Sequence, residues 1–186
     1  SPQTAVAGKS IQELVSFDEL LKLYEMAWID DWYQSKGQKE EYYRSGREIL
    51  KNFYASPYLE SSQPVYLEKM FNLKINGHTL TGKIDRLDDF NGGLKIIDYK
   101  TGRPKEKLES EDKEQLLIYQ LAAASLFSQP VKELSYYYLE NGTQLSFLGT
   151  AKEITKLEEK ITATIEAIKS FDFVSFLSAH GQCEMC

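Results

Sequence analysis

The chain has 186 residues, 42% of them hydrophobic, which suits one ordinary domain with a real core and excludes a disordered chain. Its formal net charge of −6 argues against a general polyanion binder, though not against an enzyme whose metal-binding carboxylates add to the negative count. No apolar run reaches the roughly 18 residues of a membrane helix, so no membrane partner is expected.

The opening SPQTAVAGKS has neither the basic stretch nor the apolar run of a signal peptide. It also lacks an initiator Met, so a fragment of a longer protein is expected. Ser16-Phe17-Asp18-Glu19 reads as a capping box, with a hydroxyl at the cap and a glutamate three residues on. Leu20, Leu21, Tyr24, Ala27, Trp28 and Trp32 then follow at helical spacing. A second helix is expected over 39–54, with Tyr42, Ile49, Leu50 and Phe53 inward, ended by Ser56-Pro57.

The period then changes. Residues 65–75, 80–90 and 94–99 read as strands separated by Asn76-Gly77 and Asn91-Gly92-Gly93, which predicts an antiparallel three-stranded meander. A helix over 111–127 follows, then a hairpin of 134–139 and 144–148 around Asn141-Gly142. An amphipathic helix over 151–171 carries Ile154, Leu157, Ile161, Ile165 and Ile168 on one stripe. The order predicts a single α/β domain over 1–186, with a mixed sheet flanked by helices, and 172–186 forming a C-terminal tail. That tail holds the two cysteines, Cys183 and Cys186, too few for a disulfide framework. The cytoplasm is the default compartment.

The chemistry is expected in KIIDYKTG, residues 95–102. Alternation puts Ile96, Asp98 and Lys100 on one face and Ile97 and Tyr99 on the other. The apolar residues upstream suggest a central strand, with the charges at its emerging end. A turn centred near Asn91 to Gly93 brings Asp85, in the preceding strand, close to Asp98. Two adjacent carboxylates repel unless a cation lies between them, and a hard divalent ion such as Mg²⁺ takes oxygen ligands. The Tyr99 carbonyl is a further candidate ligand. Lys100 alongside suits a phosphodiester hydrolysis site, where an ammonium positions the nucleophile and offsets developing charge. Gln115 and Tyr119, four apart on the next helix, face the same way and could reach the site or a phosphate. Lys95, Lys100, Arg103, Lys105 and Lys107 cluster around the turn at Gly102 and Pro104; a solvated loop is the plain alternative.

The blocks GKIDRLDD, IIDYKTG and QLLIYQLA, in that order, resemble the PD-(D/E)XK nuclease superfamily in its RecB-like branch. The resemblance extends from about Leu20 to Cys186. It implies a restriction-endonuclease-like core, Asp85 and Asp98 as ligands of Mg²⁺ or Mn²⁺, Lys100 as the catalytic lysine, and Gln115 and Tyr119 on the helix lining the site. Glu68, in VYLEKMF, matches a position that is often acidic in the family; a structural strand glutamate is the alternative. DNA is the implied partner, with Arg86, Thr101, Arg103, Lys105 and Lys107 as its expected contacts. A superfamily 1 helicase motor, in the same chain or in a partner subunit, and a role in DNA repair or recombination are also implied.

Two features depart from the branch. It often carries a histidine on an early helix, whereas His78 falls at a hairpin turn and His180 in the tail; the missing helix is expected to precede Ser1, so the isolated fragment is expected to bind metal weakly or be inactive. Its iron–sulfur members hold a [4Fe–4S] cluster with four thiolates. Cys183-Glu184-Met185-Cys186 resembles only the start of that motif; two free thiols or half a zinc site are the other readings. A non-catalytic DNA-binding or scaffold module of the same fold is the alternative function, and a purely structural α/β interaction domain a third.

Overall fold

The computed structural model describes residues 11–60 and 63–171. Four helices open it: α1 (Ile11–Leu14), α2 (Phe17–Ala27), α3 (Lys36–Tyr54) and α4 (Pro57–Glu60). A sheet follows with β1 (Pro64–Ile75), β2 (His78–Phe90) and β3 (Gly93–Lys100), then α5 (Ser110–Leu126), β4 (Val131–Tyr138), β5 (Thr143–Phe147) and α6 (Ala151–Ser170). The five strands lie in chain order, β1-β2-β3-β4-β5. Only the β3–β4 pair is parallel, because α5 carries the chain back across the sheet between them. This is the mixed α/β sheet, with its antiparallel meander, that the sequence predicts. No helix among the described residues is long and apolar enough to cross a membrane.

The capping box at Ser16 forms as expected. Glu19 N–H donates to Ser16 Oγ (3.3 Å), and Ser16 N–H donates to Glu19 Oε2 (2.9 Å). The helix that follows is shorter than its apolar spacing suggests: it ends at Ala27, Trp28 is its extended C-cap, and Trp32 lies beyond it at 87% exposure. The second helix begins three residues earlier than expected, because Ser35 Oγ accepts from Gln38 N–H and starts it there. Tyr42, expected inward, is exposed.

Alternation sorts the two faces of the sheet. Leu94 and Ile96 face a core with Leu116, Tyr119, Ala122 and Ala123 of α5, Leu134, Tyr136 and Tyr138 of β4, and Leu157 of α6. The other face carries Tyr99 and Tyr137, against which Phe53 of α3 and Tyr58 of α4 pack at centroid distances of 5.6 Å (Phe53–Tyr99) and 4.3 Å (Tyr58–Tyr137). β3 is therefore covered on both sides, as its apolar run predicts, and only its last residues emerge.

Candidate functional site

The site forms where the β2–β3 ladder stops. Pairing runs from Phe90↔Gly93 to Arg86↔Ile97. One step further, the same register sets Asp85 opposite Asp98, but there the strands part. The gap is bridged by Tyr99 N–H, which donates to Asp85 Oδ2 at 3.1 Å. The β1–β2 ladder skips the same row: Leu67 pairs with Arg86 and Lys69 with Ile84, leaving Glu68 opposite Asp85 with φ at 53°. A left-handed glutamate is costly and marks a break in the strand.

Asp98 is 2% exposed. Burial pushes its carboxyl above the ordinary aspartate value; Lys100 pulls it back, and the charge of Asp85 raises it further. Lys100 Nζ lies 2.7 Å from Asp98 Oδ2. The contact is an ion pair rather than a well-directed hydrogen bond, and Asp98 Oδ2 has no hydrogen-bond partner among the described residues. The same ammonium donates to Gln115 Oε1 (2.8 Å) and lies 4.8 Å from the centre of the Tyr136 ring. Gln115 Nε2 donates in turn to Tyr119 Oη at 2.9 Å. Tyr119 is buried; its burial raises the phenol pKa, the Gln115 hydrogen bond opposes that, and the charges of Asp98, Asp85 and Glu68 add to the rise.

Asp85, Asp98, Lys100, Gln115 and Tyr119 are thus brought together. Glu68 lies opposite Asp85, near enough for its charge to act on Tyr119, but its carboxylate pairs with Lys83, and no group of three or more His, Cys, Asp or Glu side chains gathers as a metal cage among the described residues. Two carboxylates nevertheless fit a hard divalent cation. Among the described residues Asp98 Oδ2 is buried without a directed donor and has the Lys100 ammonium beside it, Asp85 stands in the same row, and one ammonium leaves the two carboxylates with a net negative charge that a divalent cation would offset.

Arg86, expected to touch DNA, is wholly buried on the opposite face of the sheet, bonded to Asp88 and Tyr99. That corrects its reading as a DNA contact, because a guanidinium with no exposed surface cannot reach a phosphate. The spacing Arg86-Leu87-Asp88 accounts for the pair with Asp88, since i and i+2 share a strand face, but not for the burial. Thr101, Arg103, Lys105 and Lys107 do lie exposed on the β3–α5 loop. Lys105 pairs with Asp112, and Lys107 with Glu109 at 3.0 Å. A groove of about 340 Å³ runs between Lys100, Arg103, Lys105, Gln115 and Tyr136. His78 begins β2 and contacts Glu166 at 3.0 Å, outside the site. His180, Cys183 and Cys186 lie outside the described residues.

Tyr136 was not foreseen. It pairs with Asp98 across the parallel β3–β4 ladder, and its hydroxyl donates to Asp112 O at 2.6 Å. The run Tyr136-Tyr137-Tyr138 was the one signal, and which of the three meets Asp98 depends on a register set by a crossover.

A family model described as the PD-(D/E)XK nuclease superfamily matches residues 4–186. A solved structure titled "Crystal structure of SSO0001" is similar at 16% identity, covering 84% of this chain and 85% of its own, with a TM-score of 0.39. No curated protein matches the sequence.

Proposed function

The chain belongs to the PD-(D/E)XK nuclease superfamily, and from that premise we propose that it is a Mg²⁺- or Mn²⁺-dependent deoxyribonuclease of the RecB-like type. Asp85 and Asp98 hold the cation, with the Tyr99 carbonyl as a further ligand. When bound, that cation lowers the pKa of a water and offsets the charge of a scissile phosphate. Lys100 Nζ is aimed by Asp98 and Gln115, and donates to a phosphate oxygen or to the attacking water. Gln115 is itself fixed by Tyr119, so the ammonium is oriented before substrate arrives. Thr101, Arg103, Lys105 and Lys107 take the flanking phosphates along the adjoining groove.

The observation that carries this reading is the buried Asp98 carboxylate, held 2.7 Å from Lys100 in the row of Asp85. Calorimetric titration of Mn²⁺ into the wild-type chain and into Asp98→Ala tests it, together with cleavage of linear single- and double-stranded DNA. Site binding that is lost in Asp98→Ala is expected, together with whatever cleavage the wild-type chain shows. Equal binding by both chains overturns the assignment.

The wider context is proposed on the resemblance. On it we propose a role in DNA repair or recombination, beside a superfamily 1 helicase motor in the same chain or a partner subunit; the cytoplasm is proposed as the default compartment for a chain with two cysteines. In a longer protein, Cys183 and Cys186 would supply two of the four thiolates of a [4Fe–4S] cluster. A second reading, a non-catalytic DNA-binding module of the same fold, is favoured by one observation: Glu68 turns to Lys83 and leaves the pair of carboxylates without a third. Metal binding without cleavage of either DNA would support it.

A further inference from the structure

Arg86 is 0% exposed, yet it is not near the groove. Its Nε and Nη2 donate to the two oxygens of Asp88 at 2.6 and 2.8 Å, and its Nη1 donates to Tyr99 Oη at 3.0 Å. The guanidinium carbon stands 5.5 Å from the centre of the Tyr58 ring, and Tyr99 meets Phe53 edge-on at 5.6 Å. This is a bidentate fork with a third contact, packed in aromatic rings and shielded from water.

Its position in the chain gives it a second role. On a strand, the neighbours of a residue on one face project from the other. Arg86 is followed back by Asp85, and Tyr99 lies between Asp98 and Lys100. A backbone shift at Tyr99 is therefore passed to Asp98 and Lys100, and one at Arg86 to Asp85. The backbone ladder that would hold these strands in step ends at Arg86↔Ile97, just short of the carboxylate row. Beyond that point, two hydrogen bonds among the described residues cross the gap: Tyr99 N–H to Asp85 Oδ2 on the site face and Arg86 Nη1 to Tyr99 Oη behind it.

We infer that Arg86 and Tyr99 are positioning residues, a clamp behind the sheet that sets the spacing of Asp85 and Asp98 in front of it. The inference rests on the reading of those two aspartates as metal ligands. Asp88 has its own part: it satisfies the fork, so that Nη1 is left pointing at β3. The break in the ladder frees the row from the fixed geometry of paired backbone, and the clamp restores its precision from the far side.

Tyr99→Phe removes the hydroxyl that Arg86 holds, and with it a contact to Tyr58, while leaving the ring in place. Three quantities are measured: amide exchange at residue 99 by NMR, the Mn²⁺ dissociation constant by calorimetry, and kcat and KM on DNA. Outer partners of metal ligands typically change affinity or activity by about 10- to 100-fold. The clamp accordingly predicts exchange at residue 99 about tenfold faster, Mn²⁺ binding about tenfold weaker, and a fall in kcat with KM for DNA unchanged. Arg86→Lys, which keeps the charge but cannot bridge Asp88 and Tyr99 together, moves the same readouts the same way. Tyr137→Phe, which removes a hydroxyl from the same aromatic cluster, leaves all of them at wild-type values. A Tyr99→Phe chain that binds Mn²⁺ as tightly as wild type overturns the clamp, whether or not exchange at residue 99 quickens. A wild-type chain that binds no Mn²⁺ removes the metal reading instead, and unchanged exchange in Tyr99→Phe then removes the clamp as well.

Discussion

Lys100 Nζ lies 2.7 Å from Asp98 Oδ2, and the two side chains leave the same face of β3 two residues apart. The ammonium thus sits beside a candidate ligand without being one. Its side chain is 36% exposed while that of Asp98 is 3% exposed, so the amine is the member of the pair that substrate can reach. Lys100→Met keeps the aliphatic stem over Tyr136 and removes the charge. It is expected to bind Mn²⁺ at least as tightly as wild type, because one positive charge is gone. Cleavage is expected to fall by at least about 100-fold, the scale of a lost acid–base or electrostatic group. Calorimetry and single-turnover cleavage check the two halves separately, and equal cleavage by variant and wild type would take the lysine out of the mechanism.

Asp98 carries a cost in the metal-free protein. Burial raises its carboxyl pKa above the ordinary value, so the folded state holds its proton to a higher pH than the unfolded chain does. The sign follows: stability from this group falls as pH rises through that interval, and at neutral pH the charged form is the disfavoured one. Asp98→Asn is therefore expected to melt at or slightly above the wild-type temperature at pH 7 without metal. Mn²⁺ at a hundredfold excess over its dissociation constant adds about 2.7 kcal/mol to a binding-competent fold, or roughly 5–10 °C for a chain of this size. Wild type should show that rise and Asp98→Asn should not. A variant that melts well below wild type without metal would show that the carboxylate is a structural asset.

The features legible in the sequence are those set by short-range rules. Alternation in KIIDYKTG placed Asp98 and Lys100 on one face, and the centred turn at Asn91-Gly92, both residues with positive φ, placed Asp85 in the row of Asp98. The Gln115–Tyr119 contact follows from one helical turn. Residues whose setting depends on distant elements were not legible. The burial of Arg86 depends on α3 and α4 folding back over the sheet, and the partnership of Tyr136 with Asp98 depends on the parallel register after α5. Trp32 keeps helical spacing in the sequence, but the helix stops at Ala27, and spacing alone cannot say where a helix ends.

Gly93 shows how tightly β3 is seated at its other end. A Cβ there would lie 2.3 Å from Pro130 O and 2.6 Å from Lys132 Cγ. The first of these is backbone and is already the acceptor of Leu94 N–H at 2.9 Å, so it has nowhere to retreat. Gly93→Ala is expected to destabilise by about 1–3 kcal/mol through overpacking, seen as a lower urea midpoint with an unchanged slope. Gly37→Ala, where a Cβ meets nothing within 4 Å, is expected to be neutral or mildly stabilising. Equal midpoints for the two variants would mean that β3 and β4 separate more easily at Pro130 than this close approach implies.

The same β3–β4 junction is sensitive to acid through Glu133. Glu133 is opposite Lys95 in the parallel ladder, just past a register shift, and its Oε1 is 2.8 Å from Lys95 Nζ. Burial works against the charged carboxylate, but hydrogen bonds from Lys95, Ser135 and Ser146 more than offset it and hold the pKa below the ordinary glutamate value. A depressed carboxyl contributes stability that is fully present above the unfolded value of about 4.5 and is lost as pH falls through the folded value. Glu133→Gln keeps the shape and removes the charge. At pH 7 it is expected to be less stable than wild type by about 1 kcal/mol, the net scale of one ordinary hydrogen bond. That gap should narrow steadily below about pH 4.5, because wild type then loses what the variant never had. Urea unfolding of both chains at pH 7, 5, 4 and 3 measures it. A gap that stays constant down to pH 3 would mean that the Lys95–Glu133 charge pair does not hold the two parallel strands in register.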